Sequence, residues 1–170
     1  MSKTENERIL RMYAIQTKQN RSFPGVVIAG GGVAGCAAAL GAARAGARVL
    51  LLEEENAPGG MAGPGMLAKW MPGTRSPLRE EIDRRIANSE LAPPNRTEGL
   101  LNECLKDVLF QMLEEAGVEL LLHTRVVDAE CENGQSPVIV INSVSGMERI
   151  ESLCLIDATG DGTAAVCAGA

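Results

Sequence analysis

Gly30, Gly32 and Gly35 follow one another as G-x-G-x-x-G inside the stretch VVIAGGGVAGCAAAL. The chemistry of that spacing is anion binding. The first glycine permits a tight turn, the second lets a pyrophosphate approach the backbone, and the third lets a helix pack closely on a strand. Gly31, Val33 and Ala34 fill the turn and the helix start, where free N–H groups and the helix dipole favour a negative charge. Glu53 closes the next apolar run, near the spacing at which an acid accepts from ribose hydroxyls, and Glu54 follows it. Its charge would repel a 2′-phosphate, which argues against NADP. A bare glycine turn serves packing as readily; a strand before it, a helix after it and Glu53 in register favour a dinucleotide.

Bond-making groups are sparse. His123 is the sole histidine and stands at a predicted strand end, where a structural role is the simpler reading. Cys36, Cys104, Cys131, Cys154 and Cys167 show no CxxC or other metal-ligand spacing, so they read as small buried hydrophobes kept reduced, and no metal site is expected. No Ser-His-Asp, Cys-His or paired-carboxylate set can be assembled, and the catalytic residues stay unknown. Two further glycine segments stand out. Gly59, Gly60 and Met61 lie in a Pro/Gly-rich region that also holds Met66, Trp70 and Met71, which can cover a ligand or pack a loop. Asp157, Ala158, Thr159, Gly160 and Asp161 form another, whose acids can equally be turn formers.

These groups need elements to position them. Residues 26–29 are a short apolar run suited to a strand buried on both faces, 33–45 read as a helix stopped by Gly46, and 47–53 as a second buried strand. Residues 56–96 are a Pro/Gly-rich insertion holding one helix, with Ser76 as cap, Pro77 in its first turn and an apolar stripe of Leu78, Ile82 and Ile86. Residues 98–116 repeat leucines at three and four, giving a helix with a wide core face that ends at Gly117. A third buried strand is expected over 118–123. Extended pieces follow over 126–130, 138–142 and 147–151, with turns at Asn133-Gly134 and Ser145-Gly146; they read as a three-stranded antiparallel meander. A fourth buried strand then runs into the glycines after Asp157. Residues 1–22 read as a polar leader outside the fold, with a frayed helix around Ile9, Leu10, Met12 and Tyr13, and 23–170 as one dinucleotide-binding domain.

The charge of −6 and an aromatic content of 2% speak against nucleic acid, for want of phosphate attraction and stacking rings. No apolar run suits a membrane span or a signal peptide, so a cytoplasmic location is expected.

Residues 25–170 resemble the FAD-dependent oxidoreductases of the glutathione-reductase-like superfamily with two dinucleotide-binding domains. Within it they are most similar to proteins carrying GGMA and IDATGDG segments. The resemblance rests on 26–55, although Val33 stands where the family often has Pro, and on PGGMAG at 58–63. It rests further on the helix–strand pair ending in HTRVVDAE and on LIDATGDGTAAVCAGA. It implies FAD as cofactor, an α/β Rossmann-like parallel sheet with helices and a three-stranded antiparallel meander, and hydride or electron transfer to a small-molecule substrate of unknown identity. It implies that Gly59, Gly60 and Met61 lie toward the flavin, that Val127 contacts adenine, and that Ala158, Thr159, Gly160 and Asp161 return to the phosphates. Chains of that family continue past the equivalent of Ala170, so the domain is expected to be incomplete at its carboxyl end, with a partner chain able to complete the sheet. Two other readings fit the same residues: a non-catalytic nucleotide-binding fragment or subunit, and an NAD-binding Rossmann dehydrogenase domain.

Overall fold

The computed structural model describes residues 19–67, 75–92, 102–131 and 136–170. In chain order the elements are β1 (Gln19–Ala29), α1 (Val33–Arg44), β2 (Val49–Leu52), a 3-10 turn (Gly60–Ala62), α2 (Pro77–Ala87), α3 (Asn102–Glu115), β3 (Glu119–Leu121), β4 (Arg125–Glu130), β5 (Val138–Ser143), β6 (Gly146–Asp157) and α4 (Thr163–Cys167). The strands form one mixed sheet in the order β3-β2-β1-β6-β5-β4. β1 runs parallel to β2 and to β6, and β2 runs parallel to β3. β4, β5 and β6 pair antiparallel. The fold is α/β and Rossmann-like.

Alternation along the central strands separates two cores. Ile28, Val49 and Leu51 face α1, α2 and α3, where Leu40, Ile86, Leu105 and Leu109 complete the layer. Val27, Ala29, Leu50 and Leu52 face the other way, against Phe23, Ile139, Ile141, Ile150 and Ala164. The four residues of β2 are all buried because helices cover one side and the curled meander with α4 covers the other. α2 is capped as its sequence requires, with Ser76 Oγ accepting from the Arg79 amide at 3.2 Å and Pro77 in the first turn. Its Ile82 and Ile86 enter the same core as α1 and α3.

Several expectations are revised. β1 begins at Gln19, inside the segment assigned to the leader, and Gln19, Asn20, Arg21 and Ser22 pair with Glu148, Arg149, Ile150 and Glu151 of β6. Residues 1–18, with the apolar pattern at Ile9 to Tyr13, lie outside the described residues. The third meander strand and the fourth parallel strand are a single strand, β6, antiparallel to β5 on one edge and parallel to β1 on the other. The meander is thus continuous with the parallel sheet. β3 is only three residues long and half-buried, because it forms the sheet edge beside β2 alone. Its sequel His123 adopts a left-handed φ of 51°. The Asn133-Gly134 turn and residues 98–101 of the expected long helix lie outside the described residues. Among the described residues, no helix is long and apolar enough to cross a membrane.

Candidate functional site

The carboxyl ends of β1, β2, β3 and β6 bring their loops to one side of the sheet, around a cleft of about 760 Å³. This is where open α/β sheets place ligands. The loop after β1 is shaped by close packing. Gly30 has φ +95°, and a Cβ there would lie 2.5 Å from the Ala158 carbonyl oxygen. A Cβ on Gly35 would lie 1.8 Å from the Gly30 carbonyl oxygen, so the third glycine is what lets α1 sit on the turn. Gly32 differs: the nearest atom to a Cβ there is the Gly60 Cα at 4.0 Å, and the residue faces the cleft. Gly32 is also the N-cap of α1, no side chain caps it, and no acid stands in the first turn. The first N–H groups of a helix lack intrahelical acceptors. Gly32, Val33 and Ala34 therefore present an uncapped helix start at the cleft wall.

Glu53 is 5% exposed and borders the cleft from the end of β2. Its Oε2 accepts from the Gly31 amide at 2.8 Å and its Oε1 from the Glu55 amide at 2.8 Å. The acid expected at a ribose thus also fixes the backbone of the glycine loop. A carboxylate has about four acceptor sites, so capacity remains toward the cleft. Cys36, buried under the same loop, donates to the Gly31 carbonyl at 3.1 Å. Burial pushes its thiol up to about 12; the Gly59 amide opposes this and the Glu53 charge adds to it. It is a structural thiol.

The second glycine turn is tied to the first. The Gly59 amide donates to the Gly31 carbonyl at 2.9 Å, and Gly59 and Gly32 form an isolated parallel bridge. Gly59 and Gly60 have φ of 110° and 51°, which glycine adopts without the penalty a side chain brings. Asn102, the first residue of α3, donates from Nδ2 to the Ala62 carbonyl at 2.6 Å and holds the turn from below. Met61 projects from the turn, 70% exposed, at the cleft margin.

The β6 loop supplies the opposite wall with Ala158, Thr159, Gly160 and Asp161. The Ala158 amide donates to the Ala29 carbonyl at 2.8 Å, which extends the β1–β6 pairing to the glycine turn. Two of the loop's acids are internally bonded. Asp157 accepts from the Thr159 amide and hydroxyl and from the Ala165 amide, and Asp161 accepts from the Thr163 amide and hydroxyl. For Asp157, burial raises the carboxyl but these donors outweigh it, leaving a value below the ordinary one. Asp161 is likewise lowered, by the Thr163 hydroxyl first and then by Thr159.

Of the residues singled out in the sequence, Gly30, Gly32, Val33, Ala34, Glu53 and Glu54 reach the cleft from the first two strands. Gly59, Gly60, Met61 and Ala158 to Asp161 reach it from the later loops. Gly31 and Gly35 stand behind the wall, bonded to Glu53 and packed on Gly30. Val127 does not line the cleft; it sits where the β4–β5 register shifts between Val126 and Asp128, and Val126 takes the wall position. Thr124 and Arg125, also in the wall, were not anticipated, although their place after a third parallel strand was a usable signal. Thr124 is 3% exposed and its amide donates to the Glu53 carbonyl at 2.9 Å, while Arg125 pairs with Glu54 at 3.6 Å. Thr163 and Leu67 likewise join the lining. His123 does not, and Trp70 and Met71 lie outside the described residues.

Known proteins resemble this chain in sequence and in fold. Residues 25–170 match the family described as FAD dependent oxidoreductase. The thiamine thiazole synthase of Aeropyrum pernix is 32% identical over 155 residues, covering 79% of this chain and 54% of that protein. The chain therefore spans about half the length of the curated relative it matches. Among solved structures, the fold is similar to a geranylgeranyl bacteriochlorophyll reductase-like protein from Thermoplasma acidophilum, with a TM-score of 0.63 and 20% identity over 89% of this chain and 43% of that one. It is also similar to Thermovibrio ammonificans THI4, with a TM-score of 0.58 and 20% identity over 96% of this chain and 65% of that one.

Proposed function

The chain belongs to the FAD dependent oxidoreductase family, and we propose that its cleft binds FAD for a redox reaction on a small-molecule substrate. The observation that carries the reading is the uncapped start of α1 at Gly32, open to the cleft where a side chain would intrude. A pyrophosphate fits there, held by backbone N–H groups and the helix dipole. Glu53 then lies on the ribose side, and Thr124, Arg125 and Val126 border the adenine side at the end of β3. Gly59, Gly60 and Met61, with Thr159, Gly160 and Asp161, flank the remaining half of the cofactor. When bound, the flavin supplies hydride or electron transfer, and the chain's residues bind it, orient it and exclude water.

Titration of the purified chain with FAD, read by quenching of flavin fluorescence, tests this. Saturable binding that ADP competes away is expected. Gly32→Val should weaken binding at least about tenfold with its circular dichroism unchanged, since the new side chain occupies the anion's place. No binding of FAD, or tighter binding of NAD than of FAD, would overturn the reading.

A further inference from the structure

Asp157 ends β6 and does not line the cleft, yet its carboxylate organises the wall that does. Oδ1 accepts from the Thr159 amide at 2.9 Å and from the Thr159 hydroxyl at 2.7 Å. Oδ2 accepts from the Ala165 amide at 2.7 Å, eight residues further on. The Thr159 hydroxyl oxygen in turn accepts from the Thr163 amide at 3.0 Å. One carboxylate therefore closes the loop from both sides and takes a hydrogen bond from the Thr159 hydroxyl. Thr159, Gly160, Asp161 and Thr163, the residues facing the cleft, all lie within this closed segment.

The strand order says which part of a ligand that wall meets. Along the carboxyl edge the sequence is β3, β2, β1, β6. Glu53 and Thr124 stand at the β2 and β3 end, the uncapped helix start is at β1, and the Asp157 loop is at the β6 end. An adenosine diphosphate with its pyrophosphate at Gly32 and its ribose toward Glu53 extends from β1 toward β3, away from β6. The start of the β6 loop abuts the glycine turn, with the Thr159 Cα 2.9 Å from where a Cβ on Gly30 would stand. What continues past the pyrophosphate toward β6 runs along Thr159–Thr163.

We propose that Asp157 is a positioning residue for the ribityl–flavin half of the bound cofactor, acting through Thr159 and the closed loop it anchors. The inference rests on the FAD reading given above. Replacing the carboxylate by an amide leaves one of the three donors facing an N–H group, so the loop loses its fixed shape while the β1–β6 pairing at Ala158 stays in place.

The test compares FAD with ADP on the purified chain and its Asp157→Asn variant, by calorimetry and by the visible spectrum of bound flavin. The variant is expected to bind FAD about tenfold more weakly, as for the loss of one charge-assisted hydrogen bond. ADP affinity should stay within about twofold, and the bound-flavin spectrum should shift. Thr159→Val, which removes one donor to Asp157 at nearly constant volume, should show the same FAD-selective loss and serves if Asp157→Asn does not fold. FAD affinity unchanged in the variants, or FAD and ADP lost in equal proportion, would overturn the proposal while leaving the FAD reading intact. If the unaltered chain binds neither nucleotide, the FAD reading fails and takes the proposal with it.

Discussion

Glu53 Oε2 accepts from the Gly31 amide at 2.8 Å across 22 residues of sequence, so the acid that ends β2 shapes the loop that ends β1. The other oxygen holds the Glu55 amide, and the Glu53 main chain bonds Leu121 and Thr124 on β3 and its sequel. Three strand ends are thereby locked at one residue, beside the cleft.

Glu53→Gln separates this structural task from ligand binding. The amide nitrogen must face one of the two backbone N–H groups, which leaves a buried donor without an acceptor. A loss of about 1–3 kcal/mol in folding stability is expected, measured as a lower urea midpoint in the absence of ligand. An unchanged midpoint with weaker FAD binding would assign the carboxylate to the ligand alone.

Two glycines of α1 should respond in opposite directions to the same substitution. Gly35→Ala forces a Cβ against the Gly30 carbonyl, 1.8 Å away, and should abolish FAD binding and lower the melting temperature through displacement of α1 from β1. Gly41→Ala meets nothing within 4 Å and has ordinary helical geometry, so it should stabilise by about 0.5–1 kcal/mol with FAD affinity unchanged. Thermal melts of both variants beside the parent chain decide it.

The parts of this molecule written in local backbone demands were legible before the structure. Gly30, Gly59 and Gly60 need positive φ, Gly35 needs to lack a side chain, and Ser76-Pro77 announces a helix start. Continuous apolar runs marked β1 and β2 because both faces are covered. Pairing partners are set elsewhere in the chain and left no such mark. Gln19 to Ser22 are polar and read as a leader, yet their extended backbone is held by β6. Glu151 and Ser152 interrupt the apolar pattern of β6, so one strand read as two. Val126 and not Val127 lines the cleft, at the register shift that upsets simple alternation. The span from Asp157 to Ala165 reaches across a loop whose shape no period encodes.

Acid sensitivity follows from the direction of the carboxyl shifts. Glu81 is lowered by Arg44 first, Glu119 by Arg48 first, and Glu130 by Arg149. Asp157 is lowered because its three donors outweigh the burial that opposes them. A carboxyl whose folded value lies below its unfolded value contributes stability above the unfolded value, near pH 4, and loses that contribution as pH falls through the folded value. The urea midpoint should therefore stay level from about pH 8 to about pH 5 and fall below about pH 4. The arginine pairs are mostly exposed and screened, so each contributes little. Asp157, half-buried and bonded only to neutral donors, should carry a larger share. Asp157→Asn, which has no proton to gain, should start from a lower midpoint at neutral pH and lose less between pH 5 and pH 3 than the parent chain. Urea titrations of both proteins at these pH values check it, and parallel losses would place the acid-sensitive group elsewhere.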